Sequence, residues 1–413
     1  GRSCHDAIEA MFIQLRDIPK YVLDADIAKC FDRINHEALL KKLGTFPNLR
    51  RAIRAWLKAG MMDGGELFPT TEGTPQGGII SPLLANIALH GLSTAIESAF
   101  QKNKRIPPNG KLVTWRPGVI RYADDFVIFH RDLEVLKKAQ QIAADWLKGM
   151  GLELKPSKTR ITHTLKVVDG PIGFDFLGFH VRQYPRGKNR CMHWASGEST
   201  GLTLSIRPSK ESQKRLQRKI RETIRTNKGA SQVTLIRKLN PILRGWGNYF
   251  STVVSKDIFG KMDMHIFQKL WAWSCRRHPN KTRHWVARKY WQRGHGGWIF
   301  RCKKGYRLVK LLEIPIRRHV KVKGQRCPFD DDIVYWSTRM GKHPQIPSRI
   351  AKLLKAQKGI CPCCGLFFKS GDSFAITPHE RKLKESSESA VLLHEHCCKY
   401  VRAVVWNDNP PFY

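Results

Sequence analysis

Val119-Ile120-Arg121-Tyr122-Ala123-Asp124-Asp125-Phe126-Val127-Ile128-Phe129 reads as a hairpin. Apolar runs flank a central Ala-Asp-Asp, so two short strands meet at a turn that carries adjacent carboxylates. Two such charges at a rigid strand end repel one another. They stay ionised together when a strong positive charge sits between them, and oxygen donors of this kind suit Mg²⁺. Asp also favours turns for local reasons, so the pair alone admits an ordinary turn.

A second apolar run, Tyr21-Val22-Leu23-Asp24-Ala25-Asp26-Ile27, leads into Ala28-Lys29-Cys30-Phe31-Asp32. In-line phosphoryl transfer with two metals takes carboxylates converging from separate strands. Between the two runs lies Gly73-Thr74-Pro75-Gln76-Gly77-Gly78-Ile79-Ile80-Ser81-Pro82-Leu83-Leu84-Ala85-Asn86. The Asp-Ile-x-x-x-Phe-Asp stretch, this Gln-Gly block and Tyr-Ala-Asp-Asp, in that order and spacing, resemble the palm of group II intron reverse transcriptases. The resemblance implies Asp26, Asp124 and Asp125 as catalytic ligands of two Mg²⁺. It sets Phe31 under the nucleotide sugar, where it would exclude a 2′-hydroxyl, although a core aromatic is the plainer reading. Gln76 would position nucleotide and template. Gly151-Leu152-Glu153-Leu154-Lys155-Pro156-Ser157-Lys158-Thr159 and Phe174-Asp175-Phe176-Leu177-Gly178-Phe179 resemble later blocks of the family. By that match Lys158 lies near the triphosphate; a solvated turn lysine is the alternative.

Composition points to a polyanion. The 413 residues carry 73 Lys and Arg against 34 Asp and Glu, a formal net charge of +39. A compact fold with that excess repels itself unless an anionic partner binds it, and RNA or DNA is the natural one. The 12 Trp are interleaved with basic residues along the chain, which suits backbone contact with stacking better than a membrane surface. No apolar run is long enough to span a bilayer, and no signal peptide opens the chain. The eleven Cys, scattered but for one C-terminal cluster, are expected as reduced thiols of an intracellular protein, bacterial or organellar, plus a metal site. Gly1-Arg2-Ser3-Cys4-His5-Asp6-Ala7-Ile8 resembles the middle of the family's second block, so the N-terminal fingers are expected to be largely missing from this sequence.

The patterning predicts an α+β palm: a helix from the Asn35 cap to Gly44, a second across Leu49 to Gly60, a hairpin over Met61 to Thr71 turning at Gly64-Gly65, and one helix from Ser81-Pro82 to about Ala99. Gln101 to Gly118 reads as a polar loop, and a helix then runs from Leu133 to Gly149 or Gly151. Beyond residue 205 the pattern turns helical. Leu216, Ile220 and Ile224 form a stripe, with Lys214, Arg215, Arg218, Lys219, Arg221 and Arg225 around it. A further helix over Val233 to Leu239 should be kinked or interrupted at Pro241. Leu243-Arg244-Gly245-Trp246-Gly247-Asn248-Tyr249-Phe250 carries a resemblance to the thumb, or maturase domain X, of group II intron-encoded proteins. Trp271, Trp273, Trp285 and Trp291 follow among basic residues that include Lys281. The resemblance makes Lys214, Arg215, Arg218, Lys219, Arg225, Arg244, Trp246 and Lys281 RNA-binding. Pro315 to Gly324 alternates as a basic strand, followed by a polar stretch to about Pro347; the family holds a DNA-binding segment here, and a linker fits as well.

At the C-terminus Cys361 and Cys364 stand at CxxC spacing, and His394 and Cys397 repeat it. Two such pairs suit a tetrahedral structural Zn²⁺, with Cys363, His396 and Cys398 as substitutes. The pattern resembles an HNH endonuclease domain. In that register, however, the family's Asp-His pair falls on Phe374-Ala375, its Asn on Ser389 and its last His on Cys398, with His379 out of register. A zinc-held, ββα-type remnant that binds DNA without cutting it is expected. The expected layout is a palm over 1–200, a thumb/maturase domain over 201–312, a DNA-binding segment over 313–352 and the HNH-like domain over 353–413. The whole resembles a group II intron reverse transcriptase/maturase that binds its intron RNA, takes dNTPs and copies RNA into DNA at a target DNA. An RNA-binding splicing cofactor without polymerase activity is the alternative.

Overall fold

The computed structural model describes residues 2–63, 66–68, 72–74, 78–106, 111–168, 170–185, 199–294, 297–324, 326–369, 371–378 and 390–400. Gln76, His379, Ser389 and the Gly64-Gly65 turn lie outside them. Two compact units are present, Ser3–Lys321 and a second built from Val322 onward with Gly1–Arg2.

The first unit begins with α1 (Cys4–Leu15), β1 (Tyr21–Ala25), α2 (Cys30–Arg33), α3 (His36–Leu43), α4 (Pro47–Lys58), β2 (Met61–Asp63) and β3 (Glu66–Phe68). Next come α5 (Ser81–Ala88), α6 (Leu92–Ser98), β4 (Asn103–Ile106), β5 (Lys111–Thr114), β6 (Gly118–Tyr122), β7 (Asp125–His130) and α7 (Leu133–Lys148). β8 (Arg160–His163), β9 (Phe174–Phe176), β10 (Phe179–Pro185) and β11 (Leu202–Pro208) complete the α+β part. The thumb part holds α8 (Lys210–Thr226), α9 (Gln232–Phe250), α10 (Lys256–Arg277), α11 (Arg283–Tyr290), β12 (Trp291–Gly294) and β13 (Gly297–Phe300).

An antiparallel sheet of order β6-β7-β1-β8 is the centre of the first unit. Its middle strands are buried on both faces, which explains why Phe126 to Phe129 is apolar without alternation. Leu23, Ala25, Phe126 and Ile128 face one core, shared with Leu84, Leu92, Leu136 and Leu147 of α5, α6 and α7. Val22, Val127 and Phe129 face a second core. It contains Met11 of α1, Phe179 of the β11-β10-β9 sheet and the thumb residues Leu216, Ile220, Leu239, Leu243 and Phe259. Burying each such side chain stabilises the fold by about 1.5–3 kcal/mol.

Several expectations hold locally. Asn35 caps α3, its side chain accepting from Ala38 N at 2.9 Å, and Gly44 ends that helix at φ +56°. Others are corrected. The single helix expected from Ser81 to Ala99 breaks at Gly91, φ +94°, and Lys42 Nζ donates to the Ala88 carbonyl at 2.8 Å where α5 ends. The loop expected over Gln101 to Gly118 contains the β4–β5 hairpin. Of the kink or interruption expected at Pro241, the interruption is absent: Pro241 sits inside α9 and is exposed. Pro315 to Gly324 forms no strand. Its first part is pinned instead, with Lys256 Nζ donating to the Ile314 carbonyl at 2.9 Å and Arg317 N to the Ser251 carbonyl at 2.9 Å.

The second unit contains α12 (Ile333–Met340), α13 (Ser348–Ala356), β14 (Phe374–Pro378) and β15 (Ala390–His394). The stretch expected to be polar and irregular up to Pro347 therefore includes α12. Val334 and Ile350 join Leu353, Leu354, Phe368, Leu392 and Leu393 in a small core around the cysteines. Trp336 is fully buried and donates Nε1 to Asp330 Oδ1 at 3.0 Å.

Candidate functional site

The β6–β7 connection has two residues, since Tyr122 pairs with Asp125 and leaves Ala123 and Asp124 at the tip. Ala123 takes φ +56°, a position glycine ordinarily fills. Arg121 holds it there, donating Nη1 to the Ala123 carbonyl at 2.8 Å and to Asn86 Oδ1 of α5 at 3.1 Å. Strain of this kind persists when the flanks are rigid, and here both flanking strands belong to the central sheet.

β1 lies antiparallel to β7 with Ala25 opposite Phe126, so one step further Asp26 comes opposite Asp125. Asp24, Asp26, Asp125, Lys158, Arg160 and Asp175 line a cleft of about 300 Å³. Lys158 Nζ pairs with Asp26 Oδ2 at 2.8 Å, and Arg160 Nη2 with Asp24 Oδ2 at 3.3 Å. The Lys155–Lys158 turn is also fastened through its backbone, Lys155 N donating to the Asp26 carbonyl at 2.8 Å. Burial, then the charges of Asp124, Asp26 and Asp24, pushes the Asp125 carboxyl up to about 6, with Lys158 opposing. Burial likewise raises Asp24, against Arg160.

Oxygen donors whose repulsion is only partly offset by one lysine and one arginine fit a divalent cation. The aspartates do not by themselves close into a tight ligand cluster: among the described residues the donor group gathered within 4.8 Å is a different one, Cys361, Cys364, His394 and Cys397. Asp24, Arg160, Asp175 and Arg121 are site residues that motif reading passed over. Asp24 had a signal, being two residues before Asp26 and thus on the same strand face. Phe31 is half-buried against the α5–α7 core, and its carbonyl accepts from Thr74 N at 2.5 Å. The start of the Gln-Gly block thus docks on the Phe31 turn.

The four C-terminal donors chosen from spacing come together, with Cys364 Sγ 3.4 Å from His394 Nδ1. His394 turns its other nitrogen, Nε2, to Asp372 Oδ2 at 3.3 Å, as a ligating histidine turns to its supporting carboxylate. Burial opposes ionisation of Cys361, but the backbone groups of Cys364, His394 and Cys363 outweigh it and bring the thiol down to about 7. Burial and the neighbouring sulfurs push Cys397 up to about 12. This donor set fits Zn²⁺. Cys363 is exposed and outside the cluster, while Cys398 is buried in the apolar core. Phe374 and Ala375, where a nuclease would need Asp-His, pack on that core.

On the thumb, Leu216, Ile220 and Ile224 are buried and Lys214, Arg215, Arg218, Lys219 and Arg225 exposed, the two faces the sequence spacing separates. Arg244 and Lys281 are exposed too. Trp246 departs from the expected RNA face: it packs inward against Phe250 and Phe259, centroids 4.8 and 5.7 Å away. Among the described residues no helix is long and apolar enough to cross a membrane.

Comparison with known proteins agrees with this geometry. Residues 1–181 match the reverse transcriptase (RNA-dependent DNA polymerase) family, and residues 213–291 the maturase-specific domain of group II introns. An uncharacterized 91 kDa protein in a cob intron of Schizosaccharomyces pombe is 26% identical over 322 residues, covering 63% of this chain and 38% of that protein. Protein YkfC of Escherichia coli is 32% identical over 206 residues, 44% of this chain and 52% of YkfC. The group II intron-encoded protein LtrA of Lactococcus lactis is 28% identical over 239 residues, 44% of this chain and 38% of LtrA. The chain thus spans about half, or less, of the length of the curated relatives it matches. The chain carries a reverse-transcriptase segment and a group II intron maturase-specific segment in succession, and the relatives it resembles include group II intron-encoded proteins.

Proposed function

We propose that this chain binds its intron RNA to assist splicing and copies RNA into DNA from a primed target. The observation that carries the polymerase reading is the convergence of Asp26 and Asp125 from paired strands onto one cleft beside Lys158. Asp26, Asp124 and Asp125 would hold two Mg²⁺. When bound, the ions acidify the primer 3′-hydroxyl and stabilise the departing pyrophosphate. The protein's own groups do the rest. Lys158, exposed above Asp26, exchanges its carboxylate for a triphosphate oxygen as the dNTP enters. Arg160 pairs with Asp24 at the cleft wall and opposes the upward push that burial gives its carboxyl. Phe31 presents its ring to the sugar, and Arg121 fixes the strained turn so that Asp124 needs no reorganisation on binding. Gln76 aligns nucleotide and template.

The basic face of α8, with Arg244 and Lys281, supports the RNA-binding half of the reading, because nearly all its charges have one sign and repel without a polyanion. Cys361, Cys364, His394 and Cys397 would hold a structural Zn²⁺. The unit they close binds target DNA and does not cut it, since Phe374 and Ala375 offer no general base. The layout of palm 1–200, thumb 201–312, DNA-binding segment 313–352 and zinc domain 353–413 remains our division by function.

Primer extension on an RNA template with Mg²⁺ tests the proposal, using this chain and a longer form carrying an upstream fingers segment. Extension that vanishes with Asp124→Ala supports it. Tight intron-RNA binding with no extension by either form would leave a splicing cofactor.

A further inference from the structure

The thumb carries a cavity of about 510 Å³ that the polymerase reading does not use, formed by α10, α11 and β13. Its size lies within the roughly 300–1,000 Å³ of small-ligand clefts. Phe267 and Trp271 form its floor, rings 22° from parallel with centroids 6.0 Å apart. Trp271 is backed by the buried Trp291, 5.1 Å away, so the floor is held rigid from behind. Trp298 stands across from the floor on β13 and is 43% exposed. Ala287, a small side chain, borders it from α11. Arg283 and Arg288 flank that alanine and are both exposed.

The surrounding charge selects the occupant. No Asp or Glu stands between Asp263 and Glu313, a stretch that holds thirteen Lys and Arg. Flat aromatic walls accept any base by its π-face, and arginines at the rim accept the phosphate one sugar away. A base inside a duplex is already stacked and cannot enter.

The geometry points to this cavity as a pocket for an unpaired RNA nucleobase, stacked among Trp271, Phe267 and Trp298, with its phosphate held by Arg283 and Arg288. The inference rests on the RNA-binding reading above and adds what that reading lacks, a preference for single-stranded segments.

The test is equilibrium binding of the full chain to two probes at fixed ionic strength: a short single-stranded oligoribonucleotide with one 2-aminopurine, and a fully paired RNA duplex of the same length. The wild-type chain should quench the 2-aminopurine. Trp298→Ala should weaken single-strand binding roughly 5- to 150-fold, the loss expected for one base–aromatic stack, and leave duplex binding unchanged. Trp298→Phe should restore most of it. Arg288→Gln, on another element, should lower the salt slope of single-strand binding by about one. Unchanged single-strand binding by Trp298→Ala, or equal losses on both probes, overturns the pocket and leaves RNA binding intact. Self-association of the wild-type chain that Trp298→Ala abolishes, without effect on single-strand binding, would assign the cavity to a second copy. Binding of neither probe by the wild-type chain would remove the RNA-binding reading and the pocket with it.

Discussion

Removing the metal from the C-terminal unit should unfold that unit and leave the rest of the chain standing. Among the described residues, the apolar cluster around the cysteines has five large, nearly fully buried side chains, Leu353, Leu354, Phe368, Leu392 and Leu393, with Trp336 buried apart from them. At about 1.5–3 kcal/mol each they contribute on the order of 10 kcal/mol before any loss of chain entropy. A structural zinc in a small domain contributes about 10–16 kcal/mol by itself. The metal term is thus as large as the whole apolar term, and a unit with so small a core does not survive its loss. Ser3–Lys321 has two cores of its own, and the four donors all lie outside it. Purified chain should carry one Zn²⁺, measured by elemental analysis. In a thermal melt a strong chelator should abolish one transition and leave a second at its original temperature. Cys364→Ser should reproduce the chelated melt without chelator. A chain that binds no zinc, or whose melt is indifferent to chelation, would refute the reasoning, and the cluster would then be three buried side chains and the exposed Cys364 without a metal role.

Gly73→Ala should cost about 3 kcal/mol, combining the left-handed backbone penalty with local strain, because a Cβ there would lie 2.5 Å from the Phe31 carbonyl oxygen at φ +79°; the readout is the melting temperature of the Ser3–Lys321 transition. Lys158→Ala should leave that transition nearly unmoved, since the pair with Asp26 is exposed on the lysine side, yet raise the dNTP KM roughly ten- to a hundred-fold in primer extension. Burial, helped by Arg131 and opposed by Asp17, brings Lys20 down from 10.5 to about 8. The folded state therefore binds fewer protons than the unfolded one between those values, so stability should rise with pH across that window. Lys20→Met should flatten the rise and stabilise the chain at pH 7 by up to about 3 kcal/mol, read from denaturant unfolding at several pH values.

What was legible in the sequence, and what was not, follows from where each signal is stored. Asp26 and Asp125 come to one cleft, with Asp124 at the adjoining turn, because strand register and a tight turn fix their placement, and Cys361, Cys364, His394 and Cys397 gather because CxxC and HxxC are local patterns. The break at Gly91 was missed because a glycine within a helical pattern is ambiguous, and only the close approach of Lys42 to the Ala88 carbonyl decides it. The β4–β5 hairpin was missed because its strands, Asn103–Ile106 and Lys111–Thr114, are rich in polar residues. Helix α12 is hidden in the sequence because the stretch around it is polar and turn-rich, and its packing against α13 is not visible in local patterning. Trp246 is placed on the RNA face by the family resemblance of the run from Leu243 to Phe250, whereas helical periodicity sets it beside Phe250, one turn away, packed inward.

One turn joins the helices α8 and α9 to the cleft that the aspartates line. Leu177 and Gly178 both take left-handed backbone, φ +50° and +80°, where β9 gives way to β10. Phe176 and Leu177 line the cleft that holds Asp24, Asp26 and Asp125. Two thumb helices hold this turn directly: Ser212 of α8 donates Oγ to the Gly178 carbonyl at 3.1 Å, and Tyr249 of α9 donates its hydroxyl to the Leu177 carbonyl at 2.9 Å. A Cβ on Gly178 would meet Ser212 Oγ at 2.7 Å, so the close approach itself demands glycine. The same helices present the exposed basic face and bury Leu216, Ile220, Leu239 and Leu243 in the core shared with β1 and β7. Dense packing of this sort transmits displacement and does not absorb it. Any shift of α8 or α9 would therefore be passed to the wall of the cleft through the Gly178 and Leu177 carbonyls that they hold.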